Sequence, residues 1–214
     1  MTTNVGIVNM DGAADHATAY HHGNLREVLI ERATATIHEK GVAALSLRAL
    51  AREIGVSHAA PMRHFPTRDA LLAAIAQHGI TSLLKSATRQ VDNDDLTSLE
   101  KLQAMAIGYV TWANANPVQH LLIRNQDVMR HADDTLRNQI NTYARLHEGI
   151  IARAQKEGWR SEEPARSIFV QLTALTAGLA LVASDPIYET VFQGHPGKHE
   201  IRKAIAEFFA KSAE

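Results

Sequence analysis

The hydrophobic residues of this chain recur at intervals of three and four from about residue 20 onward. That spacing places apolar side chains on one face of an α-helix, whereas a half-buried strand requires alternation of apolar and polar residues. No window of the sequence sustains such alternation, and we find no repeat of solenoid length. The pattern therefore predicts an all-α protein.

The chain has 214 residues and no cysteine. This length allows a protein to bury a sufficient core without disulfides or a structural metal. The absence of cysteine excludes a disulfide scaffold, a thiolate metal site and a cysteine nucleophile. The N-terminal residues have neither a basic region nor a long apolar run, so we expect no secretory signal. We expect a cytoplasmic protein without a cofactor or a bound metal.

Capping residues and helix breakers divide the first part of the chain into four helices. Ser46 is the expected N-cap of the second helix and Gly55 its end, because glycine adopts the left-handed conformation at low cost. Ser57 is expected to cap a third helix that begins at His58. Thr67 is expected to cap a long fourth helix.

Longer helices are predicted after an acidic loop at residues 92–95. The uncharged segment 167–184 reaches the minimum length that crosses a bilayer, but it contains glutamine, threonine and glycine. We therefore expect a helix buried on all sides and no membrane segment. Residues 185–197 hold two prolines and two glycines and are expected to form a loop. The remaining predicted helices cover residues 98–115, 133–157 and 199–212, and Asn116-Pro117 is expected to begin a further one, with proline at the first helical position.

The near-neutral net charge of −1 conceals an uneven distribution. Residues 20–90 carry nine Arg and Lys against five Asp and Glu, whereas residues 91–214 carry thirteen against sixteen. The first of these regions is thus mildly basic, which is compatible with binding to an acidic partner such as nucleic acid.

Residues 47–65, LRALAREIGVSHAAPMRHF, contain two short helical segments with a glycine between them. Ala51 precedes Gly55 by four residues, and a small residue there lets two helices cross closely. The glycine permits a tight left-handed turn, and the neighbouring apolar residues supply a small core. This is the helix-turn-helix pattern, in which the second helix enters the major groove of DNA.

Residues 20–78 resemble the DNA-binding domain of the TetR family of transcriptional regulators. The resemblance is carried by five spaced motifs: Lys40-Gly41, Ser46-Leu47-Arg48, Ala51–Ser57, His64-Phe65-Pro66 and Thr67-Arg68-Asp69-Ala70-Leu71. It implies an N-terminal three-helix helix-turn-helix domain and a larger C-terminal helical domain that binds ligand and dimerises. The predicted divisions are a disordered arm at 1–19, the DNA-binding domain at 20–70, a connecting helix at 71–91 and the effector-binding and dimerisation domain at 92–214.

The sequence departs from this family at two positions of the third helix. Met62 stands where an aromatic residue, most often tyrosine, is usual, and Pro61 stands where leucine is typical. That tyrosine commonly contacts a phosphate, and methionine cannot donate the same hydrogen bond. We expect the phosphate contact to be weaker or to shift to Arg63 and His64.

The expected DNA interface combines base-reading and phosphate-binding side chains. Histidine can bond purine acceptors and alanine can contact thymine methyl groups, while arginines and hydroxyls suit phosphates. The hydroxyl residues have an alternative role as plain helix caps, and Arg26, Arg32 and Arg52 are expected to be surface charges. The residues assigned to DNA are Ser46, Arg48, Ser57, His58, Ala59, Ala60, Met62, Arg63, His64, Thr67 and Arg68.

Large side chains with polar tips are concentrated in the middle helices. A ligand pocket needs such a mixture of apolar walls and a few polar groups, and we expect a small apolar or amphipathic effector. The alternative is an ordinary core, in which His147 is a buried histidine with a satisfied hydrogen bond; Trp159 is expected to be a packing anchor. The residues assigned to the effector are Met105, Tyr109, Trp112, His120, Met129, Tyr143, His147 and Phe169.

A homodimer is expected because two copies related by a twofold axis read two half-sites about 34–36 Å apart. The resemblance implies that the last two helices form the dimer interface, and the alternative is that they belong to the core of one chain. The residues assigned to the interface are Ile168, Leu172, Leu175, Leu179, Val182, Ile201, Ile205, Phe208 and Phe209.

These features favour a ligand-responsive transcriptional regulator, most often a repressor in this family, that binds double-stranded DNA at a palindromic operator. One alternative is a constitutive DNA-binding protein without an effector. A remote alternative is a helical enzyme or a metal-binding protein that uses His16, His21 and His22, but no nucleophile elbow, phosphate-binding glycine loop or HExxH motif supports it.

Overall fold

The computed structural model describes residues 25–192 and 194–210. Within these residues the chain folds into eleven α-helices and one short 3-10 helix, η1, without a β-strand, which confirms the predicted fold class. The predicted arm at 1–19 and the histidines at its end lie outside the described residues. The elements are α1 (Leu25–Lys40), η1 (Val42–Ala44), α2 (Leu47–Ile54), α3 (Ala60–His64), α4 (Arg68–Val91), α5 (Ser98–Ala115), α6 (Pro117–Ile123), α7 (Gln126–Arg130), α8 (Asp134–Lys156), α9 (Ala165–Val182), α10 (Pro186–Phe192) and α11 (Lys198–Ala210).

Local capping determines where several of these helices begin. The side chain of Ser46 accepts a hydrogen bond from a backbone amide at the start of α2 (3.4 Å), and that of Thr67 does the same for α4 (3.1 Å). Asp133 caps α8 at 2.8 Å. Each bond satisfies an amide that has no partner within the helix, so these starts follow from the sequence.

The region 185–197, expected to be a loop, contains the short helix α10. Asp185 accepts a hydrogen bond from the amide of Ile187 at 2.9 Å, and Pro186 occupies the first helical position. A proline at the first helical position loses no helical hydrogen bond, and its fixed φ angle is that of a helix. The expectation of a loop was wrong because Pro186 begins a helix rather than interrupting one.

Two hydrophobic clusters hold the helices together. The upper cluster joins α1, α2 and α4 to α6, α7 and α8; its members include Leu29, Leu50, Phe65, Leu71, Ile75, Leu122, Val128 and Leu136. The lower cluster joins α5, α8, α9 and α11; its members include Leu102, Val110, Ile150, Ile151, Ile168, Leu172, Ile205 and Phe209. The upper cluster therefore extends from the helix-turn-helix segment into the larger C-terminal part.

Helix α9 is long and apolar enough to cross a bilayer by length and composition, which is weak evidence because core helices of water-soluble proteins pass the same criterion. In one chain only an inner strip of α9 is buried, at Ile168, Leu172, Thr176 and Ala180. The opposite side is exposed, and Leu181 there is 62% accessible. The expectation that this helix is buried on all sides is wrong for a single chain.

Candidate nucleic-acid interface and effector cavities

The turn between α2 and α3 has the geometry that the helix-turn-helix pattern predicts. Gly55 lies in the left-handed region at φ 77° and ψ 28°, where a side chain would strain the backbone. Its amide and that of Val56 bond to carbonyl groups of the last turn of α2. Ala51 is fully buried at the crossing, which explains why a small residue is required there.

Helix α3 begins at Ala60, two residues later than expected, and Ser57 is not its side-chain cap. The carbonyl of Ser57 instead accepts a hydrogen bond from the amide of Ala60 at 3.0 Å. The reason is Pro61, which has no N–H and fits only the first turn of a helix. A helix beginning at His58 would require an amide hydrogen at Pro61.

The outer surface of α3 and the turn before it is open to solvent. His58, Ala59, Met62, Arg63 and His64 are all exposed there, and Met62 is 57% accessible. Arg63 makes no hydrogen bond or ion pair with any residue that the structure describes. The same holds for Arg48, at the start of α2. These two guanidinium groups are therefore exposed and have no partner among the described residues.

The two carboxylates that flank α3 in the sequence, Glu53 and Asp69, have basic neighbours of their own. Glu53 forms an ion pair with Arg32, which ties α2 to α1. Asp69 lies 3.9 Å from the guanidinium of Arg68 and 4.0 Å from the imidazole of His131. The acidic groups nearest α3 are thus partly neutralised, and the exposed face of α3 keeps a basic and imidazole character.

Three residues assigned to phosphate contacts have structural roles. Ser46 and Thr67 are helix caps, as the alternative interpretation held. Arg68 donates a hydrogen bond from Nη2 to the carbonyl oxygen of Val42 at 2.6 Å, which fastens α4 to η1. A cap hydroxyl still leaves nearby helix-start amides open to an anion, so these roles do not exclude phosphate binding.

Most residues assigned to the effector lie inside the protein. Met105, Trp112 and His147 are buried, and Trp112 donates its indole N–H to Ser82 at 2.8 Å. His147 donates Nδ1–H to the carbonyl of Tyr143 at 3.0 Å, as a buried histidine with a satisfied hydrogen bond would. The half-buried rings of Tyr143 and Phe169 and the half-buried Met129 pack against the two clusters.

Tyr109 and His120 form a polar pair beside this core. The Tyr109 hydroxyl and His120 Nε2 are 3.0 Å apart. Burial raises the pKa of Tyr109, although nearby Arg124 acts in the opposite direction. Burial also lowers the pKa of His120, and the charge of Arg124 lowers it further. Tyr109 is therefore protonated and His120 neutral near pH 7, and the hydroxyl donates to Nε2 in the tautomer of His120 that has its proton on Nδ1.

Two cavities flank α6. One, of about 500 Å³, is bordered by α5, α6 and α9 and has His120, Leu121, Arg124 and Leu181 in its wall. The other, of about 440 Å³, separates α1 from α6 and includes Ile30. Both volumes fall within the range of small-molecule sites. Of the eight residues assigned to the effector, His120 borders the first cavity.

Helix α6 packs closely against α4 at Gly79. A Cβ atom added to Gly79 would lie 2.5 Å from the Cβ of Gln119 and 3.2 Å from the ring of Trp112. Only a residue without a side chain allows this approach. Since α6 also contacts α1, its position is linked to that of the helix-turn-helix segment.

Five residues assigned to the dimer interface are buried within one chain. Ile168, Leu172, Ile201, Ile205 and Phe209 belong to the lower cluster and form part of the core of a single chain. Leu175, Leu179, Val182 and Phe208 are half-buried at the margins. The exposed face of α9 lies opposite and contains Val170, Ala174, Gly178 and Leu181. Helical periodicity alone did not reveal which side of α9 the chain itself covers.

Comparisons with known proteins agree with this geometry. The family model described as bacterial regulatory proteins, tetR family, matches residues 29–75. A protein of unknown function from Rhodococcus sp. RHA1 is 32% identical, with a TM-score of 0.76 over 92% of this chain and 100% of that chain. A bacterial regulatory protein in the tetR family from Rhodococcus RHA1 is 18% identical, with a TM-score of 0.69 over 89% and 99%.

A third structure, the transcriptional regulator FadR from Bacillus subtilis in complex with stearoyl-CoA, is 11% identical, with a TM-score of 0.68 over 86% of this chain and 97% of that chain. Its likeness concerns the fold. Together with the matched family model, the fold confirms the predicted helix-turn-helix domain and helical C-terminal domain. The chain therefore belongs to the TetR family of bacterial regulatory proteins and is a transcription regulator rather than an enzyme.

Proposed function

We propose that this protein is a ligand-responsive repressor that binds a palindromic operator as a homodimer in the cytoplasm. The observation that carries the proposal is the exposed face of α3, where basic and imidazole side chains stand without carboxylate partners. Such a face attracts the phosphate backbone and presents hydrogen-bond donors to base edges. Binding is released when an effector changes the position of α6.

In the proposed complex, α3 and the turn before it enter the major groove. His58, Ala59 and Ala60 face base edges, and Met62 makes an apolar contact with a base or sugar. Arg63 and His64 bind phosphates or bases, and Arg48 binds phosphate from the start of α2. Ser46, Ser57, Thr67 and Arg68 surround this contact and hold the adjacent phosphates through hydroxyls, helix-start amides and a guanidinium.

The proposed dimer forms through the exposed face of α9. A single helix-turn-helix unit covers a short stretch of DNA. Two copies related by a twofold axis use the same DNA-binding surface twice and so double the contact with DNA. Val170 and Leu181 expose apolar area at either end of this face, and Ala174 and Gly178 between them allow close approach of another helix. Leu175, Leu179, Val182 and Phe208 complete the interface at its margin.

The proposed effector acts in the C-terminal part of the chain, residues 92–214. Both cavities border α6, which touches α1 and is closely packed on α4. A ligand that binds one position of α6 better than another shifts the population of arrangements in which the two helix-turn-helix segments of the dimer fit the operator. The structure of FadR with stearoyl-CoA has the same fold and carries a small-molecule ligand, which supports a ligand response here.

Selection of bound sequences from random DNA tests this proposal. Purified protein is expected to enrich a palindrome with half-sites about one helical turn apart. The logarithm of the affinity should fall steeply against the logarithm of the salt concentration. No enriched sequence would contradict DNA recognition. An enriched sequence without twofold symmetry would contradict the homodimer, and an operator that no stabilising small molecule releases would indicate a constitutive binder.

A further inference from the structure

Arg124 carries a positive charge that no acidic group in the described part of the chain neutralises. It follows α6 directly, and none of the ion pairs among the described residues includes it. An arginine at a helix C-terminus is favoured by the helix dipole, and the Arg124 guanidinium also interacts with the Tyr109 hydroxyl, which is not an anion. The side chain borders the cavity of about 500 Å³ between α5, α6 and α9.

The other polar groups of this cavity are mostly occupied. Asn125 accepts two backbone amides at the start of α7, and Ser184 donates to carbonyls of α9. His120 Nε2 lies 3.0 Å from the Tyr109 hydroxyl, and in the tautomer in which the hydroxyl donates to Nε2 the imidazole proton is on Nδ1. Nδ1–H makes no hydrogen bond to a described residue. Arg124 and the His120 Nδ1–H are therefore the donors available to a ligand, beside the amide of Asn114.

The rest of the wall is apolar. Leu121 on α6 and Leu181 on α9 are both large and exposed, at 51% and 62%, and they stand beside Ala113, Pro117 and Ala180. Exposed leucines that face a concave site next to an unpaired cation match a ligand with an apolar body and one anionic end. A neutral polar ligand would leave the guanidinium without a counterion, and a cation would be repelled by it.

We propose that this cavity binds an amphipathic carboxylate, with its anionic end on Arg124 and the His120 Nδ1–H and its apolar body against Leu121, Ala180 and Leu181. This inference rests on the proposed function, because it names the class of effector. Planar carboxylates accept two parallel N–H bonds from an arginine, so the geometry of the guanidinium favours them. The two groups that hold the anionic end, His120 and Arg124, lie on α6 and directly after it. Helix α6 is the helix that packs on α4 at Gly79.

Binding of three ten-carbon probes tests the class of ligand. Decanoate, decanol and decylamine have the same chain and differ only in charge at one end. By titration calorimetry and thermal shift, decanoate should bind about ten- to a hundredfold more tightly than decanol, since charge-assisted hydrogen bonds exceed neutral ones by that amount. Decylamine should bind most weakly. Equal affinities of decanoate and decanol would overturn the proposal.

The variant Arg124→Gln tests the site. It should reduce decanoate binding to the level of decanol and leave decanol binding unchanged. Arg202→Gln is the matched control, because Arg202 borders a different apolar cavity of about 330 Å³ between α5 and α11. Unchanged decanoate affinity in Arg124→Gln, or its loss in Arg202→Gln, would overturn the assignment of the site.

The outcome separates this inference from the proposed function. If octanoate, decanoate and dodecanoate all fail to bind while the protein still selects an operator, the ligand class is wrong and the regulator remains. If decanoate binds through Arg124 and no operator is selected, the carboxylate site stands and DNA recognition fails. If both occur, decanoate should weaken operator binding in the wild type and not in Arg124→Gln.

Discussion

The exposed faces of α3 and α9 are both accessible in one chain, yet they have opposite chemical character. Around α3 the accessible polar side chains are His58, Arg63 and His64, which interact favourably with water, and Met62 is the large apolar side chain exposed among them. On α9 the accessible side chains include Val170 and Leu181, with small residues between them. The α3 face is stable in solution before its partner arrives, whereas the α9 face leaves apolar area exposed that a second surface must cover.

The two faces also differ in what supports them. The α3 face is shaped by the left-handed Gly55, the cap Thr67 and the ion pair between Arg32 on α1 and Glu53 on α2, in addition to packing in the upper cluster. The α9 face is held by long-range packing of its opposite side against α5 and α11 in the lower cluster. Changes at α3 should therefore affect DNA binding alone, while changes at α9 should affect assembly first and DNA binding as a consequence.

The largest expected effect is that of Val170→Asp on α9. The substitution places a charge on the exposed apolar face, so we expect monomers in sedimentation velocity. Operator affinity should fall about a hundred- to ten-thousandfold, because the second half-site no longer benefits from a high effective concentration. The monomer should stay folded, since the position is exposed in the single chain.

The control for this prediction is Met62→Asp, which charges an apolar side chain on α3 that is as exposed as Val170, at 57%, and lies outside the proposed dimer interface. This variant should remain dimeric. Monomers in both variants would indicate a general loss of structure, and a dimeric Val170→Asp protein would place the interface on another surface.

The connection between the two regions can be broken at Gly79. An alanine there must displace α6, because its Cβ would meet Gln119 at 2.5 Å. We expect a loss of about 1–3 kcal/mol in the free energy of unfolding by urea, as for other overpacked sites. Gly149→Ala is the matched control: its Cβ has no neighbour within 4 Å, and we expect a gain of about 0.5–1 kcal/mol. Equal effects of the two substitutions would exclude close packing at Gly79.

On the α3 face, Arg63→Ala should weaken operator binding by about tenfold, the lower part of the range for a specific contact. Its unfolding temperature should stay unchanged, because Arg63 makes no contact within the chain. Arg68→Ala should lower the unfolding temperature as well, since it loses the 2.6 Å hydrogen bond to Val42. If Arg63→Ala binds as the wild type does with the same salt dependence, Arg63 has no role in the interface.

The smallest expected effect concerns pH. Burial lowers the pKa of His147 below its ordinary value of 6.5, against the effect of its hydrogen bond to Tyr143. The unfolded state then binds protons more readily than the folded state, so stability is fully present above pH 6.5 and falls as the pH decreases below it. The unfolding temperature of His147→Phe should decline less between pH 7 and pH 5 than that of the wild type. Parallel declines would assign the acid sensitivity to other groups.

Much of the fold was predictable because its signals are local. Ser46, Thr67 and Asp133 cap their helices by accepting a hydrogen bond from the amide three residues later. Gly55 ends α2 because glycine adopts the left-handed conformation at low cost. The start of α3 was misplaced because Pro61 has no N–H and therefore fits only the first turn of a helix. Helix α10 was missed because Pro186 was interpreted as a breaker although it follows the capping Asp185.

The non-local features were not predictable to the same degree. The apolar residues of α9 occur on more than one side, and periodicity cannot say which side the chain covers with α5 and α11. Ile168 and Leu172, which periodicity assigns to the dimer, are buried in a single chain, whereas Val170 on the opposite side of α9 is exposed. The polar cluster of Tyr109, His120 and Arg124 unites residues from two helices, and Arg124 has no motif that distinguishes it from other surface arginines.

The upper cluster has a consequence for how the protein acquires its DNA-reading shape. Leu29, Leu50 and Phe65 share one continuous interior with Leu122 and Leu136, which come from helices far along the chain. The helix-turn-helix segment thus shares its interior with the C-terminal helices. Excised at residue 70 it should be largely unstructured, and transplanted alone onto another regulator it should fail. New DNA specificities are more readily obtained by changing the surface of α3 than by exchanging the whole segment.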